Sequence, residues 1–234
     1  MVENLWVRGD DGRFAVKGAS LRVRRGEIYA VVGVEGNGQR ELVEAIVGLR
    51  RIERGRVVIR GVRRAVAYVP PDRTTEGLVL DMRLDENSVL GMHKLFTLRL
   101  GVLDKRRIAE HARALVKRYS IVAPGIAVPA RYLSGGNQQK LVIARELSKG
   151  SDLIVVANPT RGLDIASTAF VRRLLVELRS SGKAILLVTA DVDEALEVGD
   201  RIGVIYNGRI VGEDQAENFD EEKLGLLMGG AVEA

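Results

Sequence analysis

The chain has 234 residues, 46% of them apolar, and a formal charge of +5 from 36 basic against 31 acidic side chains. That length and apolar share fit one large domain, or a core with one inserted lobe, and no apolar run approaches the ~20 residues of a membrane-spanning helix. The absence of cysteine excludes disulfides and thiolate metal sites. Glu3, Arg8, Asp10 and Asp11 interrupt any apolar leader, so the expected location is cytoplasmic. The basic balance admits three anionic partners, namely nucleic acid, a membrane surface or bound phosphates, beside a basic surface of no specific meaning.

In chain order, "NLWVRG", "SLRVRRGEIYAVVGV", "RVVIRG" and "AVAYV" predict strands within the first seventy residues, several of them antiparallel. From Val79 to about Lys149 the pattern turns helical; in "LDKRRIAEHARALVKRYSI" the residues Ile108, Ala112, Leu115 and Tyr119 share one face, with basic residues on the other. Strand and helix then alternate through "DLIVVAN", "ASTAFVRRLLVELRSSG", "AILLVTA", "DVDEALEVG" and "RIGVIY", which predicts a parallel sheet with crossover helices. "YNGR" at Tyr206–Arg209 is a type I′ hairpin signal, so antiparallel strands and a short helix end the chain. The expected architecture is an α/β core from 1–70 and 150–234 with a helical lobe, 71–149, inserted in its middle.

Two stretches carry the chemistry. In "VVGVEGNGQRELVEAIVGL" an apolar strand runs into Gly33, Gly36, Asn37 and Gly38 and then into an amphipathic helix. Gly33-x4-Gly38 in that context is the outline of a phosphate loop, whose backbone N–H groups and helix N-terminus attract phosphate oxygens. Gln39 and Arg40 stand where such a loop has lysine and then serine or threonine. Gln39 carries no charge and Arg40 cannot ligate Mg²⁺. Alone, the stretch admits both phosphate binding and an ordinary tight turn.

The second stretch is "LSGGNQQK", Leu133–Lys140, before the apolar-periodic helix of Leu141, Val142, Ala144 and Leu147. A bare SGG would signify no more than a helix N-cap at Ser134. With "NPTRGLD" about twenty residues later, the chain resembles the ATP-binding cassette (ABC) ATPases, whose signature is LSGGQ, and Asn137 takes a variant seen in importers of sugars and nucleosides. The resemblance runs from the strands near Leu5 to "GLLMGG" and implies the P-loop cassette fold: a mixed sheet core, an antiparallel β subdomain and an inserted helical subdomain.

The resemblance further implies that two cassettes pair head to tail, with ATP between the phosphate loop of one and the signature of the other. Ser134, Gly135, Gly136, Asn137 and Gln138, with Asp164 of the loop that follows, would then serve the partner's ATP. This chain's own nucleotide half would comprise Gly33, Gly36, Asn37, Gly38, Gln39 and Arg40. At the other positions of that half the family's groups are replaced: Ala157 stands for the Mg²⁺-orienting aspartate, Asn158 for the glutamate base, Ala190 for the switch histidine and Pro71 for a polar residue of the metal-sensing loop. Asparagine cannot accept the proton of an attacking water. The catalytic positions Gln39, Arg40, Ala157, Asn158 and Ala190 are therefore all degenerate, hydrolysis there is expected to be negligible, and the metal belongs to the partner's competent site. No aromatic residue stands out as a platform for adenine; Phe14 and Tyr29 are the candidates.

"GVEGNGQ", "YVPPDRTTEGLVLDMRLDENSVL" and "NPTRGLDIAS" are most similar to the second, degenerate cassette of importers in the nucleoside branch, because sugar importers usually have arginine at the Gln39 position and keep an acidic pair before "PTRG". The implied partners are a competent first cassette, transmembrane permease subunits and, indirectly, a substrate-binding protein, at the cytoplasmic face of the membrane. The segment around Pro70–Asp81 corresponds to the groove for a short helix of the permease, with Leu78, Val79 and Leu80 as contacts or as core. The basic face of "DKRRIAEHARALVKR" reads as solvated or near lipid headgroups rather than as a nucleic-acid stripe. His93 and His111, eighteen residues apart, read as solvated or packed rather than as metal ligands, and Trp6 as an anchor. The alternative is a soluble cassette ATPase acting on nucleic acid or ribosomes, although about 95 residues between loop and signature leave no room for a long coiled coil.

Overall fold

The computed structural model describes residues 1–60 and 66–231, with the backbone alone for Leu100. The chain forms two compact units, one of Met1–Tyr68, Asp152–Asn158 and the residues from Arg172 onward, the other of Val69–Ser151 and Pro159–Val171. The second thus contains Pro159–Val171 in addition to a stretch close to the 71–149 expected for the lobe.

The first unit centres on β3 (Glu27–Val32), which is buried along its whole length. A strand covered on both faces requires the near-continuous apolar run that "EIYAVV" supplies. It pairs in parallel with β7 (Ala184–Thr189), and on its other side with β8 (Arg201–Tyr206). Beyond β7 lies β6 (Leu153–Ala157), also parallel, with β5 (Ala67–Val69) at that edge. At the other edge β9 (Arg209–Gln215) runs antiparallel to β8. The turn joining them has positive φ at both Asn207 (45°) and Gly208 (77°), the type I′ geometry that "YNGR" predicts. A second, antiparallel sheet has the order β2 (Phe14–Leu21), β1 (Val2–Arg8), β4 (Ile52–Val57). Helix α1 (Gln39–Ile46) buries Leu42, Val43, Ala45 and Ile46 in the shared core with Leu5, Val31 and Val188.

Two strand expectations are corrected. "SLRVRRGEIYAVVGV" is not one strand; β2 ends at Leu21, and a turn containing Gly26 (φ 70°) precedes β3. β4 starts at Ile52, ahead of the predicted "RVVIRG", because its register is set by pairing with β1 rather than by its own apolar run; Gly61 of that stretch, and Ala65 of "AVAYV", lie outside the described residues.

The second unit contains α2 (Leu84–Asn87), α3 (Lys105–Arg118) and α4 (Gly135–Ser148). Helix α3 buries Ile108, Ala112 and Leu115, with Tyr119 buried at its end, on the predicted face. Between α2 and α3 the helical pattern lapses into two 3₁₀ turns, His93–Phe96 and Arg99–Gly101. The buried Asn87 amide organises the loop before α2, accepting from the Val79 N–H and donating to the carbonyls of Val79, Met82 and Arg83. Helices α5 (Ile165–Ser180), α6 (Val192–Val198) and α7 (Glu221–Met228) complete the chain.

Candidate functional site

Because β3, β6 and β7 are parallel, their carboxyl ends share one edge of the sheet, where open α/β sheets bind ligands. Gly33 follows β3 there, Asn158 follows β6 and Ala190 follows β7. The predicted nucleotide-loop residues and the two positions expected for a base and a switch histidine, Asn158 and Ala190, are thus brought together on one edge.

The loop keeps the backbone of an anion site. Gly38 caps α1 at φ 98°, and no side chain accepts from the first-turn N–H groups, the arrangement that leaves helix amides available to an anion. A Cβ on Gly38 would stand 2.4 Å from the Ala15 carbonyl oxygen, so both the conformation and the close approach require glycine.

The loop's side chains are occupied with the loop itself. Gln39 Nε2 and Asn37 Nδ2 donate to the Val34 carbonyl at 2.8 and 3.0 Å. Asn37 Oδ1 accepts from the Asn207 N–H at 2.7 Å, and the Asn37 carbonyl from the Gly208 N–H at 3.0 Å. Lys17 Nζ in turn donates to Asn207 Oδ1, which staples loop, hairpin turn and β2 together. Arg40 Nε is drawn along its own helix to Glu44 Oε1 at 2.8 Å.

At the end of β6, Asn158 takes a left-handed conformation (φ 42°) that asparagine tolerates. Its N–H donates to the Val188 carbonyl at 2.7 Å, and its Oδ1 accepts from the Ala190 N–H at 3.1 Å. The Asn158 side chain therefore clamps the end of β6 to the turn after β7. Ala157 is buried beside it. Mg²⁺ takes hard oxygen ligands, with carboxylate and hydroxyl oxygens among them; Arg40 and Ala157 offer neither, and Asn158 Oδ1 is already engaged. Among the described residues no cluster of three or more His, Asp or Glu is placed to hold a metal.

The adenine candidates separate. Tyr29 is fully buried with its hydroxyl unpartnered, and burial pushes that hydroxyl well above the usual phenol range, so it cannot stack on a base. Phe14 is half-buried; its ring meets Trp6 edge-on at 5.3 Å and carries the Arg8 guanidinium 4.4 Å above it. Trp6, with its indole N–H donating to Asn4 Oδ1 at 3.1 Å, is an anchor of that sheet.

In the second unit the signature forms the tip of α4. Ser134 is its N-cap (φ −62°, ψ 156°), accepting from Asn137 Nδ2 at 2.8 Å and more distantly from the Asn137 N–H at 3.4 Å. Asn137 Oδ1 accepts from the Val122 N–H at 2.8 Å, which fixes the amide that orients the Ser134 hydroxyl. Ser134 is exposed, Gly135 half-buried, Gly136 buried. Gln138 is not brought to the exposed tip: it is buried, and its Nε2 donates to the Ala130 carbonyl at 3.1 Å. The Arg73 guanidinium lies against Gly135 and donates to the Arg161 carbonyl at 3.1 Å.

Asp164 opens α5 in the same way. Its Oδ1 accepts from the Ser167 N–H and its Oδ2 from the Ser167 hydroxyl, both at 2.8 Å. These bonds, the backbone one first, hold its carboxyl below the usual carboxylate range. A Cβ on Gly136 would fall 2.1 Å from Ser167 Oγ, so the signature and Asp164 loops meet at Gly136 and Ser167. Sequence reading missed Ser167, although the Asp-x-x-Ser spacing before an apolar run is close to a capping-box pattern. It also missed the staple by Asn207 and Lys17, for which no sequence signal exists.

The profile of the family described as "ABC transporter" matches residues 16–161. Among curated relatives, the guanosine import ATP-binding protein NupO of Bacillus subtilis (strain 168) is 38% identical over 244 residues, covering 99% of this chain and 48% of that protein. The nucleoside import ATP-binding protein NupA of Lactococcus lactis subsp. cremoris (strain MG1363) is 40% identical over 98% of this chain and 48% of its own length. The ribose import ATP-binding protein RbsA 1 of Rubrobacter xylanophilus is 36% identical, with coverage of 98% and 48%. The chain thus spans about half the length of these relatives. Among solved structures, the dimeric post-hydrolysis state of the ATP-binding cassette MJ0796 bound to ADP and Pi superposes with a TM-score of 0.78 at 24% identity, covering 93% of this chain and 99% of that one.

Proposed function

The chain belongs to the ABC transporter family as an ATP-binding cassette, and from that premise we propose that it acts as the second, degenerate cassette of an importer of nucleosides or simple sugars. The observation that carries this reading is the contrast at its two helix tips. Ser134 caps α4 in the open, beside glycine amides, whereas Gln39 and Arg40 are tied to Val34 and Glu44. The tip of α4 completes the ATP site of a competent partner cassette, where the Ser134 hydroxyl and the amides of Gly135 and Gly136 meet the γ-phosphate. This chain's own loop keeps its shape for pairing and weak nucleotide contact, holds no Mg²⁺, and hydrolyses negligibly.

ATP binding closes the pair by a population shift, hydrolysis in the partner's site resets it, and the second unit passes the movement to the permease at the cytoplasmic face of the membrane. Of the residues expected to meet the permease, Val79 is exposed and Leu78 is buried. Nucleosides are favoured over sugars as cargo: the relatives named for guanosine and nucleoside import are 38% and 40% identical, the ribose relative 36%.

Reconstitution with a competent first cassette and the permease tests the reading. Ser134→Ala should lower ATP turnover of the assembly about 10²-fold. Turnover indifferent to that change, or vigorous phosphate release by this chain alone, would overturn it.

A further inference from the structure

The charge of the chain is concentrated on one helix. Helix α3 carries Lys105, Arg106, Arg107, Arg113, Lys117 and Arg118 against the single acid Glu110. Six positive charges less one negative give +5, equal to the net charge of all 234 residues. All six basic side chains are exposed, while Ile108, Ala112 and Leu115 bury the remaining stripe. Within α3 one ion pair forms, Arg106 with Glu110 at 3.0 Å; the other basic residues of the helix make none among the described residues.

The segment leading into α3 is a tight hairpin with an apolar exterior. The Leu98 N–H donates to the Val102 carbonyl at 2.7 Å and the Asp104 N–H to the Phe96 carbonyl at 2.8 Å, while Thr97 bridges Leu103. Phe96 packs with Val89, Met92 and Ile108, so the hairpin is fastened to the first turn of α3, which Asp104 caps through the Arg107 N–H. Outward, Leu95, Leu98, Val102 and Leu103 are 63%, 50%, 60% and 44% exposed. Lys94 directly precedes them and Arg99 lies among them in sequence, and neither forms an ion pair among the described residues.

Aliphatic side chains held in water beside a field of largely unpaired positive charge are complementary to a surface that is anionic at its face and apolar just beneath. We propose that the 95–103 hairpin and α3 form a docking surface for an anionic lipid bilayer. The aliphatic side chains enter the boundary between headgroups and acyl chains, and the basic residues of α3 lie along the phosphates. Nucleic acid matches the charge but not the tip, because single strands are held by aromatic stacking and the exposed apolar side chains of this hairpin are aliphatic. The proposal is independent of the signature reading, since it uses neither Ser134 nor the loop at Gly33–Gly38.

Flotation of the purified chain with protein-free vesicles tests it, using phosphatidylcholine alone or mixed with phosphatidylglycerol. The chain should bind the anionic vesicles, progressively less as salt is raised, and the neutral ones weakly. At about fivefold per basic residue, Arg113→Glu with Lys117→Glu should reduce partitioning by more than about 25-fold. Leu98→Asp with Val102→Asp should reduce it about tenfold or more while leaving the salt dependence in place. Both variants change exposed side chains and should keep the parent's circular dichroism and melting temperature. Binding unaffected by either variant, binding only when the permease is in the vesicles, or tighter binding to single-stranded RNA than to the anionic vesicles would each overturn the proposal.

Discussion

The two helix tips of this chain are capped in different ways, the tip of α1 by a left-handed glycine and the tip of α4 by an extended serine. At α1 a left-handed Gly38 opens the helix without a side-chain cap, and the neighbouring amides of Asn37 and Gln39 are spent on the Val34 carbonyl. At α4 a serine caps the helix, an asparagine fixes the serine, and the hydroxyl stays at the surface. At the first tip the loop's side chains bond within the loop while the helix amides stay uncapped; at the second a capping serine remains exposed. A loop can therefore have the outline of a phosphate loop while its side chains staple the loop itself. Where the side-chain hydrogen bonds go, rather than the glycines, distinguishes the two tips.

The largest test of that contrast is Gly136→Ala. The added methyl would meet Ser167 Oγ at 2.1 Å and force apart the turns that carry Ser134 and Asp164. Assembled with a competent cassette, the variant should lose about 10²-fold in turnover, while circular dichroism of the lone chain stays helical. Adding Ser167→Gly removes the obstructing hydroxyl and should recover part of the loss; no recovery would mean that the Gly136–Ser167 contact does not set the tip.

At the other tip the effect should appear in stability rather than turnover. Gly38→Ala places a Cβ 2.4 Å from a carbonyl oxygen at positive φ, which costs on the order of 1–3 kcal/mol and lowers Tm by about 2–4 °C per kcal/mol. Gln39→Lys restores the family's cation at the loop, yet with Ala157 and Ala190 unchanged the lone chain should still show no steady phosphate release. Measurable turnover from that single change would make the loop a nearly competent site. Asn158→Ala removes the bond to the Ala190 N–H and leaves a left-handed alanine, together costing about 1–2 kcal/mol in urea unfolding. Asn158→Gly should recover the conformational part alone.

The sequence disclosed what is local. The "EIYAVV" run, the type I′ turn at Asn207–Gly208, the buried face of α3 and the cap at Ser134 all depend on neighbours within a few residues. The rest depends on partners far along the chain. Lys17 and Asn207 are 190 positions apart, and nothing near either indicates that they secure Asn37. β4 begins at Ile52 because β1 sets its register. Tyr29 is a stacking candidate by residue type alone; the continuous apolar run around it already marks a strand covered on both faces, and it is fully buried. Gln138 sits inside the signature motif, but the position of Ala130, eight residues before it, turns it inward.

The smallest effect separates the two units by acid. Asp72, at the start of the turn Arg73–Gly77, accepts from the Thr74 hydroxyl first, then from the N–H groups of Thr74 and Thr75, which hold its carboxyl down to about 2. Its folded value lies below its unfolded one, so its contribution is present above the ordinary carboxylate range and is lost as pH falls toward 2. Asp164 is lowered for a like reason, through Ser167. The staple at the phosphate loop, by contrast, is made of the amides of Gln39, Asn37 and Asn207, which do not titrate. Acid should therefore loosen the caps of the second unit while the loop hairpin keeps its amide protection, a difference that hydrogen exchange between pH 5 and pH 2 resolves. Thr74→Val should move the Asp72 titration, followed by NMR, upward toward the usual range. An unmoved titration would mean that the hydroxyl does not hold the carboxylate, and with it the opening turn of the second unit.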